Sequence, residues 1–223
     1  METKKLFRTD PYANTCTAKV ISVNGNEIIL DQTVFFAFAG GQASDIGTIG
    51  GKQVVNAVLS EDQHFITYTM EDGHGLVVNQ NVEVKIDGER RAKIRRLHSA
   101  VHVVMLLFQH KTGIREYIGS NVDAEKGRFD FLMNKSCSDM LPELENEANT
   151  LINRNLSVYR GPSKQDSDRW EWQALDEEGK KIDYLYCPCG GTHAAKLGEI
   201  GHVKLKRKNI GGGKERIEVT QAE

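Results

Sequence analysis

Residues 87–110 read DGERRAKIRRLHSAVHVVMLLFQH, and at this stretch the hydrophobic period of the chain changes. Ile94, Leu97, Val101, Val104, Met105 and Phe108 fall on one face of a helix, whereas the residues upstream alternate as strands do. Asp87 is placed to cap this helix and Gly113 to stop it. The expected helix runs from Glu89 to about His110, which is long for a globular protein. A long helix entering after a run of strands makes the fold class α+β and puts a domain boundary near residue 88.

Working back from that boundary, Thr15 to Leu30 carries β-branched residues on both sides of Asn24-Gly25, a hairpin signal. Val34 to Ala39 is a short apolar run that stops at Gly40-Gly41-Gln42. Asp45 to Gly51 reads as a tight turn feeding a further hairpin, and Val54–Leu59, Phe65–Met70 and Val82–Ile86 read as strands. No convincing helix precedes residue 88. About six short strands at this spacing predict a small antiparallel β-barrel over residues 1–88. Working forward, Arg115 to Met133 reads as irregular chain ending in a strand at Arg128 to Phe131. Pro142 opens a second helix with Leu144, Ala148, Leu151 and Ile152 on one face. Leu156–Arg160, Ile200–Leu205 and Arg216–Val219 return to strand, and the charged stretch from Ser163 to Lys181 is the least readable. Residues 89–223 are thus expected to form an α+β domain, its long helix packed on an antiparallel sheet.

The chain of 223 residues is long enough to bury a sizeable core, and 39% hydrophobic with 27% charged is ordinary for a soluble globular protein. A net charge of -2 hides local asymmetry: residues 90–96 are RRAKIRR, and Lys204 to Arg216 holds six basic residues against one acidic. The N-terminal METKKLFRTDPY has no apolar core, and no stretch approaches a membrane span, so a cytoplasmic protein with no membrane partner is expected. Of four cysteines, Cys187 and Cys189 lie two apart near a histidine, which suits a reduced compartment and a metal better than a disulfide framework. Cys16 and Cys137 read as core thiols, and Cys187 as a spare thiol on a strand.

His98 and His102 are one helical turn apart on the same face. Cys189 and His193 are also four apart, in CGGTH. Either pair alone is ambiguous, but together they offer three imidazoles and a thiolate, a set that suits Zn²⁺. Ser99 stands where a metalloprotease of the HExxH type needs its glutamate, which excludes that class. Four protein ligands would close a tetrahedral zinc, so an active site here needs one weakly held ligand or an expanded shell.

HSAVH preceded by DGERR, CGGTH followed by Gly198-Glu199-Ile200-Gly201, and the upstream GGQASDIG at 40–47 together resemble the editing domain of alanyl-tRNA synthetases. More closely they resemble the AlaX proteins, free-standing versions of that domain. KLKRKNIGGGKERIEV near the C-terminus is similar to the family's basic closing hairpin, so the resemblance covers residues 40 to 219 in order. It implies hydrolysis of the ester joining serine, and also glycine, to alanine tRNA in trans. It also implies one zinc held by His98, His102, Cys189 and His193. Discrimination between amino acids differing by one small group is limited to a few kcal/mol, so a second, hydrolytic site is the physical remedy. An aminoacyl ester is already activated, and a positioned water with an oriented carbonyl suffices.

Gln42, after two glycines that allow close approach, is a candidate to bond the amino acid or fix that water. Thr192 offers a hydroxyl beside His193, and the two are the candidate catalytic residues. The family often carries Pro and a small or hydroxyl residue before GGQ, where this chain has Phe36-Ala37-Phe38-Ala39. The departure leaves the serine-versus-glycine preference open. Arg95 and Arg96 on the metal helix, with Lys204, Lys206, Lys208 and Lys214, are the expected contacts to tRNA. Strand alternation would put Lys204, Lys206 and Lys208 on one side. Two rival readings are a deacylase for serine on threonine tRNA, and a zinc-stabilised RNA-binding module without activity.

Overall fold

The computed structural model describes residues 2–164 and 169–222. It divides into two compact units, Met1–Ala39 with Ala43–Ala92, and Gly40–Gln42 with Lys93–Glu223. The fold is α+β, as expected.

In the first unit, β1 (Lys4–Lys5) leads into a single helical turn, α1 (Leu6–Thr9). Then come β2 (Thr15–Asn24), β3 (Glu27–Leu30), β4 (Gln32–Thr33), β5 (Gly47–Ile49), β6 (Lys52–Leu59), β7 (Ile66–Met70) and β8 (Asn81–Ile86). Six of these close a barrel in the order β2-β3-β7-β6-β5-β8, every neighbouring pair antiparallel, and β1 pairs in parallel with β4 outside it. Alternation fills the inside with Val20, Ile28, Leu30, Ile49, Tyr68 and Val84, all buried. Gly25, in the left-handed region at φ 59°, turns the expected hairpin. The apolar run after β4 is a loop whose first four residues, 34–37, are buried while Phe38 is exposed: Asp45 takes the Phe36 N–H at 2.6 Å and returns its own N–H to the Phe36 carbonyl at 2.9 Å. Arg91 closes this loop, donating to Asp45 Oδ1 at 2.9 Å and to the Val34 carbonyl at 2.8 Å.

The long helix α2 spans Gly88–Thr112. Asp87 caps it, its carboxylate accepting the Arg90 N–H at 2.9 Å, and Gly113 ends it at φ 73° with its N–H on the Gln109 carbonyl at 2.9 Å. From Leu97 to Phe108 every residue is buried, so the helix is covered all round rather than on one face. Next come β9 (Tyr117–Val122), β10 (Gly127–Leu132), α3 (Leu141–Asn153), β11 (Val158–Pro162), β12 (Trp170–Leu175), β13 (Lys181–Pro188), β14 (Val203–Gly211) and β15 (Lys214–Gln221). They form two antiparallel sheets, β14-β15-β10-β9 and β11-β12-β13.

The first sheet packs on α2: a Cβ on Gly127 would overlap Val101, and the Phe108 ring lies 4.2 Å from Phe131 and 5.8 Å from Phe129. The second reaches the helix through Trp172, 5.3 Å from the His102 ring. Several elements are found that the sequence pattern did not offer, the short β1, α1 and β4 among them. β9 lies in the stretch read as irregular, and β12 with the start of β13 lies in or beside the charged stretch at 163–181. Residues 165–168 of that stretch lie outside the described residues. No helix is long and apolar enough to cross a membrane.

Candidate metal centre

His98 and His102 project from α2 with their rings 4.9 Å apart. The loop after β13 brings Cys189 and His193 against them: the His193 ring is 4.1 Å from that of His98 and 4.7 Å from that of His102. Cys189 Sγ stands 3.2 Å from His193 Nε2 and 3.6 Å from His98 Nε2. One ligand atom from each of the four residues falls within 4.8 Å of all the others. Nitrogen and sulfur at the corners of a tetrahedron around zinc would stand about 3.5 Å apart, close to these separations.

Gln42 fixes the orientation of His98. Its Oε1 accepts the Thr192 backbone N–H at 2.9 Å, and a backbone N–H can only donate, so that atom is the oxygen. The same oxygen lies 2.8 Å from His98 Nδ1, which therefore carries the proton and leaves Nε2 with a free lone pair beside Cys189. Gln42 Nε2 donates to Thr192 Oγ1 at 3.0 Å. Both Gln42 and Thr192 are fully buried.

Two glycines make this geometry accessible. Gly41, at φ 85°, passes so close to Ser120 that a Cβ would stand 2.7 Å from its carbonyl oxygen, and a Cβ on Gly191 would overlap the His98 ring. Ser99, known from the sequence only as a missing glutamate, accepts the Ala194 N–H at 2.9 Å and donates to the Arg95 carbonyl at 3.0 Å. It ties the helix to the loop that carries His193.

The electrostatics suit a cation. Burial holds His98 and His193 well below the usual histidine pKa and brings His102 down to about 4, so all three imidazoles are neutral donors. Burial also pushes the Cys189 thiol up to about 11 and the Cys187 thiol up to about 12. Both ring nitrogens of His102 and Nδ1 of His193 are buried without a hydrogen-bond partner. Unpaired lone pairs in a dry site are costly, and a metal ion removes the cost. The four residues could hold a metal ion, and three nitrogens with one sulfur fit Zn²⁺. Trp172, whose buried indole N–H has no partner, completes the wall and was not foreseen. A tryptophan in a segment without readable period gave no signal of its place.

The basic residues divide. Lys204, Lys206 and Lys208 are exposed on one side of β14, with Lys204 2.9 Å from Glu145, and Lys214 is exposed at the hairpin turn. Arg207 and Arg216 are instead engaged by carboxylates, Arg207 Nε by Glu215 at 2.6 Å and Arg216 Nε by Asp130 at 2.7 Å. Arg95 and Arg96 are half-buried on α2, a different element. Arg91, part of the same basic run, is fully buried on Asp45 and presents no charge to a partner.

Residues 178–218 match the family described as threonyl and alanyl tRNA synthetase second additional domain. The chain is 32% identical over 221 residues to alanyl-tRNA editing protein AlaX-M of Pyrococcus horikoshii, covering 97% of each chain. It is 30% identical to a protein of the same name from Saccharolobus solfataricus, covering 98% of each. It is also 31% identical to alanine–tRNA ligase of Methanococcus aeolicus, there spanning 98% of this chain and 26% of the ligase. With nearly full-length agreement on both sides, the chain belongs to the AlaX-M family of alanyl-tRNA editing proteins.

Proposed function

We propose that this protein hydrolyses the ester joining a wrong amino acid, serine or glycine, to alanine tRNA, acting in trans. The observation that carries the reading is the convergence of His98, His102, Cys189 and His193 within 4.8 Å, in a chain similar throughout to alanyl-tRNA editing proteins. We assign Zn²⁺ to these residues, one ion per chain, on the chemistry of the donor set. Held by these four residues, Zn²⁺ would supply Lewis acidity toward the ester carbonyl.

The chain's own groups do the remaining work. Gln42 was expected to meet the amino acid or a water, but its carbonyl oxygen is engaged by His98 and Thr192. Its role in this reading is to hold the His98 tautomer and to fix Thr192 beside the site. The Thr192 hydroxyl accepts from Gln42, so its own proton is available toward the reacting carbonyl or its water. Burial of the ligands limits water to what the substrate admits. Lys204, Lys206, Lys208 and Lys214, with Arg95 and Arg96, contact the tRNA backbone.

The test is deacylation of Ser-tRNA and Gly-tRNA of alanine identity, with Ser-tRNA of threonine identity as control, alongside metal analysis. Hydrolysis of the alanine-identity esters and about one zinc per chain are expected. His102→Ala and Cys189→Ala are expected to lose both activity and metal. Full rates and full zinc in both variants would overturn the site, and hydrolysis of the threonine-identity ester alone would overturn the substrate.

A further inference from the structure

β9 is the outer strand of its sheet, and its pairing with β10 shifts register between Asp130 and Phe131. Val122 lies opposite Gly127, Ser120 opposite Phe129 and Gly119 opposite Asp130, but Phe131 lies opposite Tyr117, so Ile118 is an extra residue. Such a bulge inverts the alternation beyond it and re-aims the side chain. Gly127, Phe129 and Phe131 are on the face packed against α2. Plain alternation from Ser120 and Val122 would put Tyr117 on the opposite face. The bulge returns it to the face of the metal helix.

The direction of the strand places Tyr117 along that helix. Gln42 bridges to Val122 at the open edge of β9 and bonds to His98, so this edge lies on the histidine side of α2. Gly127 sits against Leu97 and Val101, and Phe131 against Phe108. Following β9 back from Val122 to Tyr117 therefore follows the helix from His98 past His102. Tyr117 stands opposite Phe131, beyond His102 along the helix, and remains 49% exposed, while Phe108, Phe129, Phe131 and Trp172 are buried. Its phenol pKa is raised by burial and then by the charges of Cys187 and Cys189, in keeping with a ring at the rim of the ligand loop.

We propose that Tyr117 is the stacking platform for the terminal nucleobase of the tRNA whose ester lies at the metal cluster. The proposal rests on the editing reading above. An ester seated at buried ligands must leave its sugar and base pointing outward, and an aromatic face at the rim holds a base without regard to sequence.

The experiment compares Tyr117→Phe, Tyr117→Leu and Tyr117→Ala. Tyr117→Phe keeps the ring and is expected to hold KM for Ser-tRNA of alanine identity within about twofold. Tyr117→Ala and Tyr117→Leu are expected to raise KM roughly tenfold, with kcat within about threefold and metal content unchanged. An unchanged KM in both overturns the platform. So does a Phe variant as impaired as the Ala variant, which assigns the contact to the hydroxyl. Binding of a short oligonucleotide ending in CCA, measured by calorimetry on wild type and Tyr117→Ala, separates this proposal from the editing reading. If no ester is hydrolysed by wild type but the oligonucleotide binds more weakly to Tyr117→Ala, the editing reading fails and the platform stands. Equal affinities overturn the platform.

Discussion

Gln42 bonds to His98 through an oxygen that Thr192 identifies, so one amide sets the donor state of a candidate metal ligand. Such outer partners commonly carry tenfold to hundredfold of metal affinity. Gln42→Ala is therefore expected to weaken zinc binding by roughly that factor with the secondary structure retained, measured by competition with a chromophoric chelator and by circular dichroism. Ser99→Ala leaves the Ala194 N–H buried without its acceptor and is expected to cost about 1–3 kcal/mol in denaturant unfolding.

At this scale the clustering of His98, His102, Cys189 and His193 was legible, because spacings of four residues on a helix and in a Gly-Gly turn carry their own geometry. Gln42 was legible as a candidate residue but its partners were not, since His98 and Thr192 lie far along the chain. Arg91 was misleading. It sits among RRAKIRR, yet it is three residues before Ile94 on the buried stripe, so helical period outweighs the charge of its neighbours.

Among the elements, the basic hairpin β14–β15 shows how composition conceals pairing. Its arginines are neutralised by Glu215 and Asp130, and Lys204 is paired with Glu145, whereas Lys206, Lys208 and Lys214 stand exposed. Changing Lys206 and Lys208 together to Ala is expected to spare zinc and weaken tRNA binding. The slope of log affinity against log salt should fall by roughly 1.5, as for two lost phosphate contacts.

The same hairpin carries an acid-sensitive link. The Arg207 hydrogen bond holds Glu215 below the usual carboxylate pKa. A depressed folded pKa gives stability that is present above the unfolded value of about 4.3 and is lost as pH falls through the folded one. Unfolding of Glu215→Gln is expected to be less pH-dependent than wild type below that point. Barrel strands β3, β7 and β8 were readable because each buries alternate residues. β9, YIGSNV, was not: it is polar and Gly-bearing, and its place is set by the bridge to Gln42 and by the bulge opposite Phe131.

In the whole molecule, two hydrophobic cores rest on different supports. The first unit depends on a buried ion pair, Arg91 with Asp45. Removing one member of such a pair leaves the other charge uncompensated, so Arg91→Ala is expected to cost about 3–5 kcal/mol, read from denaturant unfolding by barrel-specific hydrogen exchange. The α+β class and the barrel were legible from the switch of period at residue 87. Of the second sheet only β11 was legible, as Leu156–Arg160: β12 buries four consecutive residues, Glu171 to Ala174, two of them polar, and β13 buries only Leu185, so neither shows a clear period of two.

The second unit is discontinuous in sequence, taking Gly40–Gln42 from the middle of the barrel's chain. This bears on how the protein can be cut and joined. A fragment beginning at residue 89 would keep all four candidate ligands and lose the amide that orients His98. Any fusion, split or circular rearrangement that preserves the metal chemistry must therefore carry the stretch around residue 42 with it. The editing module is portable only as the two units together.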